Sequence, residues 1–172
     1  MYDKITLATW PEKPSRVRAN RHYIISDENG VLIKGKNEWT VMNIATGKLQ
    51  RVSEIYPAEL EFCEDISIEE NYARISDDFS DAQTVCDYTI RSTDIDLVQH
   101  MNNAAYIRAL IGTINTKDLQ EHPIKDIEIV YKSQSYEGET LTIKRRVTEN
   151  AEEYGMLKAD STVCATVRIV RE

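Results

Sequence analysis

One stretch of this chain spaces its apolar residues for a helix, inside a half otherwise patterned for strands. Ile107, Leu110, Ile111 and Ile114 fall at i, i+3, i+4 and i+7, one stripe along one helix face. Asn102 or Asn103, just ahead of it, can act as N-cap, its side-chain oxygen accepting from an otherwise unpaired backbone N–H. Around the helix the pattern changes to period two. Residues 83–91 read as a strand, 125–132 alternate through Ile127, Ile129 and Tyr131, and 140–148 alternate through Leu141, Ile143 and Val147. Residues 150–155 read as a turn, and 161–170 alternate again through Val163, Ala165, Val167 and Ile169. Four or five strands with one helix to cover predict an α+β architecture, an antiparallel sheet wrapped around a central helix.

That layout is a hot-dog arrangement, expected over 83–172. Residues 1–53 are all-β in pattern: Ile5, Leu7 and Thr9 alternate with Thr6, Ala8 and Trp10, and Asp27-Glu28-Asn29-Gly30 marks a tight hairpin. A second run, Glu38 to Ile44, leads into a turn at Ala45-Thr46-Gly47-Lys48. Such a sheet has no helix of its own, so one apolar face is expected to be bare unless another sheet or a second subunit covers it. A homodimer is one expectation that follows. Trp10 and Trp39 are expected in the core of this sheet. Residues 54–82 carry ten acidic side chains against one base, Arg74, and read as an acidic linker with a short helical turn or two.

Charge and cysteine usage exclude several classes of function. Asp and Glu number 29 against 21 Lys and Arg, and no basic stripe is interleaved with aromatics, so nucleic acid is not an expected partner. No apolar run reaches the roughly 20 residues that cross a bilayer. Cys63, Cys86 and Cys164 are odd in number and far apart, which argues against a disulfide framework, and the histidines are too scattered for a metal site. With no secretory signal pattern in the first residues, the expected location is cytoplasmic, with no membrane partner.

Residues 94–103, DIDLVQHMNN, crowd polar side chains at the helix start. Asp96 and His100 can both reach the volume at the helix N-terminus, where backbone N–H groups carry partial positive charge and can hold an oxyanion. A carboxylate or imidazole beside them can orient a water or take its proton, which suits acyl transfer to water. On spacing alone the plainer reading, in which Asp96 caps a turn and His100 packs at the helix mouth, comes first.

Thr93 to Ile107 reads TDIDLVQHMNNAAYI, which resembles the signature S/T-D-L/I-D-x-N-x-H-x-N-N-x-x-Y-I of the acyl-acyl-carrier-protein (acyl-ACP) thioesterases. Those enzymes build two hot-dog domains in one polypeptide. Tyr131-Lys132-Ser133-Gln134-Ser135 through Leu141 is similar to a second block of that family. Thr9-Trp10-Pro11, the run Arg21-x-Tyr23-x-Ile25-x-Asp27-x-x-Gly30, Trp39 and Ile44-x-Thr46 are similar to the end of its first domain. That resemblance implies one complete hot-dog preceded by a partial one, the first domain being truncated, without its opening strand, its helix and the strand after it.

The resemblance implies hydrolysis of fatty acyl-ACP to free fatty acid, with acyl carrier protein as partner and no free cofactor. It places Asp96 and His100 in the catalytic set, Gln134 where the family has Glu, and Val98 where it has Asn. Asn102 and Asn103 would meet the substrate, with the helix N–H groups on the thioester carbonyl. Glutamine can hold a water but cannot take its proton. A relative that binds acyl chains or acyl-ACP without turnover is therefore the alternative. Ser135 falls where plant relatives carry Cys, with no base beside it in sequence. His22 and His122 are expected to be structural or exposed. Lys144-Arg145-Arg146 is either a solvated strand face or a docking site for an acidic carrier.

Overall fold

The computed structural model describes residues 4–43, 45–57 and 59–172. Two units divide the chain, Met1–Asn71 and Tyr72–Glu172, with the division inside the acidic segment 54–82. Ile44, which was read as the end of a strand, lies outside the described residues.

The first unit is an antiparallel meander of β1 (Thr6–Pro11), β2 (Arg18–Asp27) and β3 (Gly30–Thr40). Asp27 makes the β2–β3 hairpin: its carboxylate accepts the N–H of Asn29 at 2.7 Å and of Gly30 at 3.1 Å. Gly30 takes φ +135°, which side chains rarely tolerate. Residues 59–71 run along this unit rather than free of it. Cys63 N–H bonds Pro11 O, Trp10 Nε1 donates to Asp65 O at 2.7 Å, and Ser67 Oγ donates to Gly35 O. His22 is buried beneath them, its ring stacked on Trp10 at 5.8 Å. Leu7, Ile25 and Ile33 pair directly across the strands, so they share one face. Leu7 and Ile33 are 60% and 59% exposed, the bare apolar face the pattern predicts. Trp39 does not fill a core: it shares that face and is 49% exposed.

The second unit is a five-stranded antiparallel sheet of β4 (Gln83–Thr89), β5 (Ile124–Tyr131), β6 (Thr140–Val147), β7 (Glu152–Leu157) and β8 (Val163–Arg171). Its strand order is β4-β6-β7-β8-β5, with β4 and β5 at the edges. Helix α1 (Asn103–Ile111) packs on one face, and α2 (Thr116–Glu121) follows it. The core joins Ala105, Tyr106, Ala109 and Leu110 of α1 to Leu141, Ile143, Tyr154, Met156, Val167 and Ile169 of the sheet.

The helix seam is therefore rotated from the one expected. The fully buried residues are Ala105, Tyr106, Ala109 and Leu110, whereas Ile107 and Ile111 are half-buried and Ile114 lies beyond the helix end. Two alanines let the helix backbone approach the sheet closely, and the larger isoleucines flank the seam. The expected turn at 150–155 is shorter: Thr148 N–H closes it onto Ala151 O, and β7 starts at Glu152. Cross-strand pairing explains two exposed apolar residues. Val147 pairs with Glu152, and Glu152 pairs with Ile169, which pairs with Ile127. Val147 and Ile127 are thus the outer ends of one row, 65% and 38% exposed.

Residues 72–82 cover the other face of this sheet. The Phe79 ring lies so close to Gly155 that a Cβ there would fall 2.6 Å from it. Ala73 N–H bonds Glu128, and Asp77 pairs with Lys132.

Candidate active site

The polar stretch is organised by Asp94, a residue the sequence pattern gave no reason to single out. It is buried, its Oδ2 accepts Arg91 N–H at 2.9 Å and the Tyr88 hydroxyl at 2.8 Å, and its carbonyl accepts Asn102 N–H at 2.8 Å. Burial first, then this carboxylate, raises the Tyr88 pKa. Of the two aspartates in TDID, Asp94 therefore builds the frame and Asp96 is left to face outward.

Asp96 to His100 closes as a tight loop. Asp96 N–H bonds His100 O at 3.0 Å, Gln99 sits in the left-handed region at φ +66°, and Ile95 bridges Met101. The loop brings His100 Nδ1 to 4.0 Å from Asp96 Oδ1, too long for a hydrogen bond but within ion-pair reach. The same Asp96 oxygen accepts Val98 N–H at 2.9 Å, an Asx turn that fixes the carboxylate. Val98 itself is 67% exposed at the loop tip.

Asn102 is the N-cap of α1, its Oδ1 accepting Ala104 N–H at 2.8 Å. Its carbonyl takes Ala105 N–H, so the Asn103 N–H is the first-turn donor with no acceptor among the described residues. Tyr131 donates its hydroxyl to Asn103 O at 2.9 Å and packs edge-on against Tyr106. Burial, with Tyr106 adding, pushes the Tyr131 phenol up to about 12.

The third part arrives from the β5–β6 connection. Met101 N–H bonds Ser135 O at 2.8 Å, tying that connection to the helix mouth. Asp96, His100, Asn103, Tyr131 and Gln134 then line one cleft of about 310 Å³. Of the residues expected at the site, Asp96, His100, Asn103 and Gln134 come together, whereas Asn102 is spent on the cap and is not part of the lining. Ser135 is fully buried beside Tyr106 and Cys164 and is not part of the lining. Tyr136 is a further residue at the site: its hydroxyl donates to Gln134 Oε1 and its ring meets His100 edge-on. An aromatic residue in a loop carries no periodic signal that would have marked it.

Other candidates resolve into structure. Ser67, His22 and Glu12 make a triad-like chain, with Nδ1 2.9 Å from Ser67 Oγ and Nε2 3.3 Å from Glu12. Ser67 and His22 are buried and Ser67 Oγ is committed to Gly35 O, so the chain pins residues 59–71 instead of presenting a nucleophile. The basic triplet is also committed: Lys144 donates to Phe79 O, Arg145 bonds Glu152, and Arg146 bonds Glu153 and Asp81. Among the described residues no three His, Cys, Asp or Glu side chains cluster to hold a metal ion, and no helix is long and apolar enough to cross a membrane.

Comparison with known proteins places this geometry in a family. Residues 77–167 match the acyl-ACP thioesterase C-terminal domain and residues 1–60 match its N-terminal domain. The chain belongs to the acyl-ACP thioesterase family. It is 28% identical to the chloroplastic oleoyl-acyl carrier protein thioesterase of Coriandrum sativum over 76% of its length. To the palmitoyl-acyl carrier protein thioesterase of Gossypium hirsutum it is 25% identical over 89%. It spans 38% and 40% of those two acyl-ACP thioesterases. In structure it aligns with an acyl-ACP thioesterase from Bacteroides thetaiotaomicron at a TM-score of 0.83 and 24% identity, covering 99% of this chain and 70% of that one. The 12:0-ACP thioesterase from Umbellularia californica gives 0.82 at 19% identity, covering 99% of this chain and 68% of that one. The shared fold is the hot-dog.

Proposed function

We propose that this chain hydrolyses the thioester of fatty acyl-ACP, releasing a free fatty acid and the carrier thiol. The observation that carries this reading is one cleft lined by Asp96, His100, Gln134 and Asn103, the first residue of α1. The names of its relatives, acyl-ACP thioesterases and hydrolases, support the substrate class.

The chemistry follows from the roles open to each group. A water held by His100 and Asp96 adds to the thioester carbonyl carbon, and the Asp96–His100 pair takes its proton. The carbonyl electron pair moves to oxygen, where the Asn103 N–H meets the developing charge. Collapse of the tetrahedral species breaks the C–S bond, and the thiolate leaves with the proton the pair had taken. Gln134 contributes hydrogen bonds only.

Turnover of carrier-protein thioesters of several chain lengths by the purified chain tests this. Asp96→Asn and His100→Ala are each expected to lower kcat/KM at least 100-fold, as loss of a catalytic acid–base group does. No hydrolysis of any substrate would overturn the proposal. A second reading, acyl-ACP binding without turnover, is favoured by Val98 at the exposed loop tip and by an amide at position 134. Saturable binding of acyl-ACP with no product would select it.

A further inference from the structure

Gln134 has two unlike ends, a carbonyl oxygen that only accepts and an NH₂ that only donates. The terminal torsion of a glutamine is soft, so an unsupported amide samples both orientations. Here one neighbour, the Tyr136 hydroxyl, could donate to the oxygen or accept from the NH₂, and it is found donating. The Tyr136 hydroxyl donates to Gln134 Oε1 at 3.0 Å, which occupies the accepting end and leaves the NH₂ for the cleft that Gln134 lines.

Tyr136 is itself held at two further points, the second through a partner that is braced in turn. Its N–H bonds Glu139 Oε2 at 2.8 Å, its ring lies 5.5 Å from the Lys158 ammonium, and Lys158 is fixed by Glu139 Oε1 at 3.0 Å. A cation over the ring draws electron density from the phenol and makes its O–H a better donor. Another contact reaches the site: the ring edge meets His100 at 6.1 Å and 69°. Tyr136 is 46% exposed, so these contacts and not burial determine where it sits.

We infer that Tyr136 is a positioning residue that locks the Gln134 amide with its NH₂ toward the substrate, so that Gln134 donates to the thioester carbonyl oxygen. The inference rests on the hydrolytic reading above. It gives position 134 a task that a carboxylate cannot perform, because a carboxylate has no proton to donate when ionised. The amide and the Asn103 N–H then meet the developing oxyanion together, and proton transfer stays with Asp96 and His100.

Tyr136→Phe removes one oxygen and keeps the ring against His100 and Lys158. Without that bond the donating orientation loses the support of one hydrogen bond, up to about tenfold in population. The expected result is a kcat about tenfold lower with KM within twofold, a modest fraction of the 10²–10³ lost when an oxyanion donor is deleted. In a Gln134→Leu background the same substitution is expected to change kcat by less than twofold. An unchanged kcat for Tyr136→Phe, or an equal loss in both backgrounds, would overturn the inference while leaving the hydrolytic reading intact. The second measurement needs no turnover: NMR of [¹⁵N]glutamine-labelled chain follows the Gln134 side-chain amide. A clear shift of that resonance in Tyr136→Phe supports the lock even if no substrate is hydrolysed. An unmoved resonance refutes it.

Discussion

Glu152 is the residue whose loss this fold is expected to feel most sharply. It lies on the inward row of β7, continuing the line of Tyr154 and Met156, with its side chain only 14% exposed. Arg145 Nε bonds one of its oxygens at 3.0 Å, Arg171 Nε the other at 3.1 Å, and the Tyr154 hydroxyl adds a third bond. Arg171 also reaches Asp118 of α2 at 3.5 Å. This network closes the helix–sheet interface at the C-terminal end of α1, opposite the candidate active site.

Glu152→Gln keeps the shape and removes the charge. One amide end still accepts from one guanidinium, so the other loses a charge-assisted bond contributing about 1.5–3 kcal/mol. Stranding one partner of a fully buried pair costs about 3–5 kcal/mol. Arg145 is 40% exposed and water offsets part of its loss, so the expected destabilisation is about 2–3 kcal/mol. Urea titration of wild type and variant measures it.

The pH dependence fixes the cause. Burial works to raise the Glu152 carboxyl, but the Tyr154 hydroxyl and both arginines outweigh it and hold it below 4.5. Its contribution is therefore complete above the unfolded value and lost as pH falls through the lower folded one. The wild-type advantage should close in that acid window. A difference under about 1 kcal/mol at neutral pH, or one unchanged on acidification, would refute this account of the network.

Two further outcomes follow from packing and capping. Gly155→Ala would set a Cβ 2.6–2.8 Å from three atoms of the Phe79 ring, an overpacked contact expected to cost about 1–3 kcal/mol in urea unfolding. Adding Phe79→Leu to that variant should recover part of the loss. Asn102→Ala removes the α1 cap and should destabilise by about 1 kcal/mol while exposing the Ala104 N–H. Its KM and kcat for acyl-ACP, measured beside stability, report whether the side chain also meets substrate.

Much of this arrangement was legible in the residues themselves. Period-two alternation located the strands around Leu141, Ile143, Val167 and Ile169, and the DIDLVQHMNN block located the cleft. What escaped has physical causes. A periodicity argument weights large apolar residues, so it followed Ile107 and Ile114 and passed over Ala105 and Ala109, whose smallness makes the seam. Glu152, Glu153 and Gly155 dilute the strand pattern of β7, because their fitness for it comes from Arg145, Arg171, Arg146 and Phe79 elsewhere in the chain. The division of labour between Asp94 and Asp96 was invisible because only the folded loop tells two aspartates apart. Tyr136 acts through neighbours at 100, 134 and 158 that no local window contains.

The bond from Met101 N–H to Ser135 O joins the two loops through main-chain atoms alone. The side chain at 134 can therefore be exchanged without breaking the joint that sets its distance from His100, whereas Ser135 is buried and packed. The frame works as a socket: its spacing is fixed by backbone, and the chemistry it delivers is fixed by whatever residue is plugged in. Exchanging Gln134 in this chain becomes a way to vary the delivered group on a fixed backbone, with the Tyr136 hydroxyl losing its partner.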